Sequence, residues 1–272
     1  MSLLTRARLL TTLLPEAVAC RQTAAHVWGL ATLPWSKPET DIPVDLITPT
    51  PLDIPGCRTH QDPLPQADVT THTGIRVTTQ ERTALDCARH LPRHTAVAAL
   101  DQFLRLGLDL DTLARQVSGF WRLRDTLAMA DAGAASPRES WLRVTLMEAC
   151  LPRPTTQIHV PLSADRRAYL DLGWPDFKVA VEYDGNEHHS TPGARARDQR
   201  RRDALRALGW RVITVDRTIL PARTADLLEV VTDALMERGW QPGPARMTAI
   251  LSRIRAARRP TTHRRRTWRT FR

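Results

Sequence analysis

The sequence predicts an α/β (α+β) protein: a mostly helical N-terminal domain with a few short strands, then a C-terminal domain whose mixed central sheet is flanked by helices. Two observations carry this. Along Phe177–Asp184 the large apolar residues Phe177, Val179, Val181 and Tyr183 alternate with Lys178, Ala180, Glu182 and Asp184, the period of a half-buried strand. Around that strand, from Ser136 to Val215, the patterning runs helix, three strands, helix, strand.

Residues 3–19 and 21–30 read as helices. The stretch from Pro34 to Pro65 is too rich in proline for long helices and leaves short extended pieces such as Pro43–Thr48. Gly74–Thr78 reads as a strand, and Thr79 as the N-cap of a helix over Arg82–His90. Helices continue through Thr95–Leu106, Asp111–Val117 and Leu123–Ala130. The small, unpatterned run Asp131–Ala135 is the linker, so the first domain covers 1–131 and the second 132–245. Ser136-Pro137-Arg138-Glu139 opens a helix with a capping box and proline at the first helical position. Strands follow near Thr156–Val160, Ala168–Leu172 and Phe177–Tyr183, then a basic helix from Ala194 to Leu208 that Gly209 ends. A strand over Trp210–Val215 and a helix over Thr224–Arg238 complete the domain. Met247, Ile250, Leu251 and Ile254 recur at helical spacing, so residues 246–272 begin as a docked helix and run on as a basic, disordered tail.

At 272 residues, 42% apolar and 25% charged, the composition is that of a soluble globular protein. No run approaches the ~20 apolar residues that cross a bilayer. Leu9–Leu14 imitates a signal peptide, but Pro15 and Glu16 interrupt it, and the expected location is the cytoplasm. Cys20, Cys57, Cys87 and Cys150 are spaced like neither a zinc knuckle nor a dense disulfide frame, and read as thiols in a reducing compartment. The whole formal excess of +10 equals the ten arginines of residues 246–272, which hold no acid. That tail either meets nucleic-acid phosphates or is a solvated end.

Period two sends Glu182 and Asp184 the same way, and Asp171 joins their face if the intervening turn holds an even number of residues. Clustered carboxylates repel one another unless a cation neutralises them, and oxygen donors suit Mg²⁺ or Mn²⁺. Asp171, Glu182 and Asp184 are therefore the expected metal ligands; Asp184-Gly185 reads equally as a turn pair. Such a cation would polarise a scissile phosphate and acidify an attacking water. His188 or His189 could serve as general acid or base, the role to which an imidazole side chain is suited. Lys178, Arg201 and Arg202, with Arg264, Arg265 and Arg266 of the tail, are the expected phosphate contacts, and Trp268 a base-stacking candidate.

Ser136-Pro137-Arg138-Glu139-Ser140, Asp171, Val179–Gly185 with His188-His189, Asp198–Arg202 and Gly209–Val212 together resemble the Vsr-like endonuclease domain of the PD-(D/E)xK superfamily, in the branch called domain of unknown function 559. The resemblance implies a restriction-endonuclease-like fold, Mg²⁺- or Mn²⁺-dependent cleavage of phosphodiester bonds, DNA as the substrate, and Glu139 as an outer acid of the site. Asp184 stands where that motif carries its lysine, so the lysine's role falls to another cation or is lost. Upstream, Thr23-Ala24-Ala25, Trp28-Gly29-Leu30 and Val77–Asp86 resemble type IV toxin–antitoxin antitoxins of the abortive-infection kind, although their usual winged helix is not evident. That second likeness implies a partner toxin, and a non-catalytic DNA-binding regulator as the alternative to the nuclease.

Overall fold

The proline-rich N-terminal third builds more sheet than its composition suggests. A computed structural model describes residues 1–34, 37–116, 121–163, 165–185, 192–216, 219–220 and 222–258. The chain divides into two units, Met1–Val144 and Thr145–Arg272.

In the first unit, helix α1 (Leu3–Leu13) stops before Pro15, and Val18–Ala19 form a short strand, β1, where the sequence predicts continued helix. Proline at position 15 denies the helix a backbone donor and the following apolar pair enters the sheet instead. Helix α2 (Arg21–Val27) leads to strands β2 (Val44–Ile47), β3 (Cys57–His60), β4 (Val69–His72) and β5 (Ile75–Thr78). The sheet order is β3-β2-β1-β5-β4, with β1/β5 and β2/β3 parallel and the other pairs antiparallel. Thr79 caps helix α3 (Gln80–His90) as predicted, its hydroxyl accepting the Arg82 N–H at 3.3 Å. Helices α4 (Arg93–Arg105), α5 (Leu110–Gln116) and α6 (Trp121–Ala128) follow. Two cores result. Leu3, Ala7, Val44, Leu46, Ile75 and Val77 pack between α1 and the sheet, and Leu85, Leu100, Phe103, Leu113, Leu123 and Leu127 pack among the helices.

Helix α7 (Pro137–Glu148) contains the division between the units, at Val144/Thr145 rather than at the predicted Asp131–Ala135 linker. The reason is chemical. Fully buried Arg143 of α7 pairs at 2.6 Å with fully buried Asp101 of α4, and Asp101 also accepts the Asp131 N–H at 2.7 Å. A small, unpatterned run is thereby anchored to the first unit.

The second unit holds strands β6 (Thr155–Ser163), β7 (Arg166–Trp174), β8 (Val179–Tyr183) and β9 (Arg211–Val215), with helices α8 (Pro192–Ala207), α9 (Thr224–Glu237) and α10 (Pro244–Arg258). The sheet order is β6-β7-β8-β9, antiparallel except for the last pair. Parallel β8 and β9 require a crossover, and α8 supplies it. Leu205 of α8 is buried with Ile158, Val160, Leu170, Ala180 and Trp210. The end of α8 is a Schellman motif: Trp210 N–H bonds the Leu205 carbonyl at 2.9 Å and Gly209 N–H the Arg206 carbonyl at 2.9 Å, with Gly209 at φ +84°.

Among the described residues no helix is long and apolar enough to cross a membrane.

Candidate functional site

Strands β7 and β8 are joined by four residues, 175–178, between the paired Trp174 and Val179. The even turn sets the register Gly173↔Ala180 and Leu172↔Val181, so Asp171 and Glu182 each follow the last ladder pair and share one face of the sheet. The two acids the sequence singles out are thus brought together at the end of the β7–β8 ladder. Close approach of the two strands depends on Gly173. A Cβ there would lie 2.6 Å from the Val179 carbonyl oxygen and 3.0 Å from the Ala180 Cα.

Beyond Leu172↔Val181 the strands part, and side chains replace the missing ladder bonds. The Asp171 carboxylate accepts the Tyr183 N–H at 2.8 Å, a donor whose next ladder partner would be Leu170. Arg201, about two turns before the end of α8, reaches into the same opening. Its Nη1 donates to Glu182 Oε2 at 3.0 Å and its Nη2 to Glu182 Oε1, while Nη2 also donates to the Tyr169 carbonyl at 2.6 Å. The Glu182 hydrogen bonds raise the Arg201 pKa against the opposing effect of burial, and the negative charges of Glu182, Asp198 and Asp171 add to them. The guanidinium is a fixed positive charge.

The other predicted residues disperse. Asp184 lies beyond the end of β8, not on the strand, and is exposed; its N–H bonds the Val215 carbonyl at 2.8 Å. Lys178 is likewise not on the strand. It sits in the turn at φ +50°, and its Nζ holds the Leu208 carbonyl at 3.0 Å, capping the C-terminus of α8. Phe177 belongs to the same turn, so the strand begins at Val179. Glu139 is buried, and its Oε2 accepts the Ala135 N–H at 2.8 Å while its own N–H bonds Ser136 Oγ at 3.2 Å, the reciprocal logic of a capping box displaced by one residue. Arg202 is exposed and pairs with Asp198 one turn away. His188, His189, Arg264, Arg265, Arg266 and Trp268 lie outside the described residues. Among the described residues no three of His, Cys, Asp and Glu gather where they could hold a metal ion. Both Glu182 oxygens accept from Arg201, so among the described residues the partner of this carboxylate is the chain's own cation.

The first unit holds a polar network that the sequence reading passes over. Asp45 of β2, its side chain 3% exposed, meets Arg58 Nε at 3.0 Å and His60 Nε2 at 3.1 Å on neighbouring β3. Arg82 of α3 donates to Asp86 at 3.1 Å and to Asp68 at 3.0 Å. Burial raises the Asp86 carboxyl pKa in spite of Arg82. Arg21, at φ +50°, pairs with Asp62 at 2.8 Å. The i,i+4 spacing of Arg82 and Asp86 is the one part of this network that a sequence displays.

A mixed α/β protein with ion-paired polar residues beside the apolar cores of its N-terminal unit and a carboxylate–arginine site in its C-terminal sheet is the class these features define. Residues 17–129 match the family profile described as the AbiEi antitoxin C-terminal domain. Two uncharacterized proteins of Mycobacterium tuberculosis, from strains CDC 1551 / Oshkosh and ATCC 25618 / H37Rv, are each 30% identical over 209 residues, 74% of this chain and 74% of theirs. The chain belongs to the family of these mycobacterial proteins. No solved structure matches it.

Proposed function

We propose that this chain is an antitoxin-like, DNA-binding regulator whose nuclease-like C-terminal unit recognises nucleic acid without cutting it. The observation that carries this reading is the antitoxin-domain match over residues 17–129, which spans β1 to α6 and takes in the Asp45 and Arg82 networks. The closed Glu182–Arg201 pair supports it, because hydrolysis needs an accessible cation or base at the scissile phosphate. Exposed Arg197, Arg200, Arg202 and Arg206 of α8, with Arg264, Arg265 and Arg266, supply phosphate contacts. A partner toxin, as the antitoxin family suggests, is the expected protein ligand.

Fluorescence anisotropy with DNA from the region upstream of its own coding sequence tests the reading. Binding persists in EDTA and weakens with salt, and deleting residues 260–272 reduces the slope of log affinity against log salt by up to about 4.5, if all five deleted arginines meet phosphates. Binding that requires Mg²⁺ or Mn²⁺ would count against a metal-free regulator. DNA cleavage that needs either ion and disappears in both Asp171→Ala and Glu182→Ala would replace it with a metal-dependent endonuclease.

A further inference from the structure

We propose that Arg201 is the resident cation of the Asp171–Glu182 site, a guanidinium that does for this sheet what a divalent ion would do for an open carboxylate pair. The inference does not rest on the regulator reading, although that reading draws support from the same pair: it concerns only the parting of β7 and β8, and its readouts contain no DNA.

Two carboxylates across adjacent strands repel, and a cation must offset that repulsion. Arg201 does so with charge and shape together. Its planar fork engages both oxygens of Glu182 on β8, and the same Nη2 holds the Tyr169 carbonyl on β7. One side chain therefore bridges the two strands just past their last ladder pair, Leu172↔Val181. The Arg201 side chain is 27% exposed and that of Glu182 17%, so the pair is partly shielded from water. The remaining carboxylate, Asp171, has a structural duty in satisfying the Tyr183 N–H. A divalent ion taking the Glu182 oxygens would have to displace both Arg201–Glu182 hydrogen bonds and leave the guanidinium with the Tyr169 carbonyl alone.

The test uses the full chain. Wild-type protein titrated with Mn²⁺ and followed by electron paramagnetic resonance leaves the ion free, and its Tm is the same in Mg²⁺ and in EDTA. Arg201→Ala lowers the Tm by roughly 4 °C or more. Combined with Glu182→Gln it loses less than the sum of the two single losses, because the carboxylate that Arg201 neutralised is gone. Wild-type binding of Mn²⁺ that is lost in Glu182→Gln would overturn the proposal, as would additive losses in the double variant. The wild-type titration needs no substitution, so the outcome is readable even if Arg201→Ala fails to fold.

Discussion

Each unit contains an arginine–carboxylate pair, and the two differ in what surrounds them. In the first unit Asp101 and Arg143 are both 0% exposed and 2.6 Å apart. Asp101 also accepts the Asp131 N–H, and Arg143 donates to the Met129 carbonyl, so α4, α7 and the chain between α6 and α7 meet at one buried charge pair. Burial raises the Asp101 carboxyl pKa even with Arg143 beside it. Desolvation is the larger effect there, and such a pair is costly to break rather than strongly stabilising to possess. In the second unit Arg201 and Glu182 keep contact with water, which softens both the desolvation cost and the attraction. One pair is sealed from water; the other bridges two strands at a partly exposed site.

The sharpest way to break this comparison is Arg143→Ala, which leaves Asp101 buried and uncompensated. It is expected to cost about 3–5 kcal/mol in denaturant unfolding, and Arg143→Met with Asp101→Leu should recover much of that. A loss for Arg143→Ala no greater than that for Arg201→Ala would erase the distinction between the pairs. Next in size is Gly173→Ala, where the added Cβ collides with the Val179 carbonyl and the Ala180 backbone. A loss of about 1–3 kcal/mol is expected. Faster hydrogen exchange at the Tyr183 amide would place the damage where β7 and β8 part, and unchanged exchange there would separate that opening from the glycine. The smallest effect is on thiol reactivity. Burial raises the Cys20 and Cys87 thiol pKa values far above the ordinary range, whereas Cys57 is only partly buried and less raised, and Cys150 is partly buried. A thiol-reactive probe should modify Cys57 and Cys150 first. Early labelling of Cys87 would show the first unit opening more readily than its buried ion pair implies.

Periodicity made the second unit legible. Alternation along Phe177–Asp184 and the Gly209 stop are local signals, and the elements they mark are present, the strand over Val179–Tyr183 and the helix over Pro192–Ala207. The sequence left the parity of Asp171 with Glu182 conditional on an even turn, and the four residues 175–178 meet that condition. The partner of Glu182 was not legible. Arg201 lies 19 residues away on a helix crowded with arginines, and only the crossover geometry selects which of them reaches the sheet. Lys178 misled for a related reason, since alternation ignores the left-handed turn residue that takes it off the strand. In the first unit the two-residue β1 and the four-residue β3 and β4 are shorter than any period can declare, and long-range pairing makes them. Asp45 and Asp101 gave no signal, because their partners come from other elements.

The Schellman stop at Gly209 has a bearing on how this chain tolerates length changes. It anchors the phase of α8, and Arg201 stands eight residues before it. An inserted or deleted residue in that interval would rotate the guanidinium by about 100°, handing its place to a neighbour on the helix. Within these two turns, spacing constrains the chain more tightly than composition: a Lys-for-Arg exchange on the outer face is absorbed, and a frame slip of one residue is not.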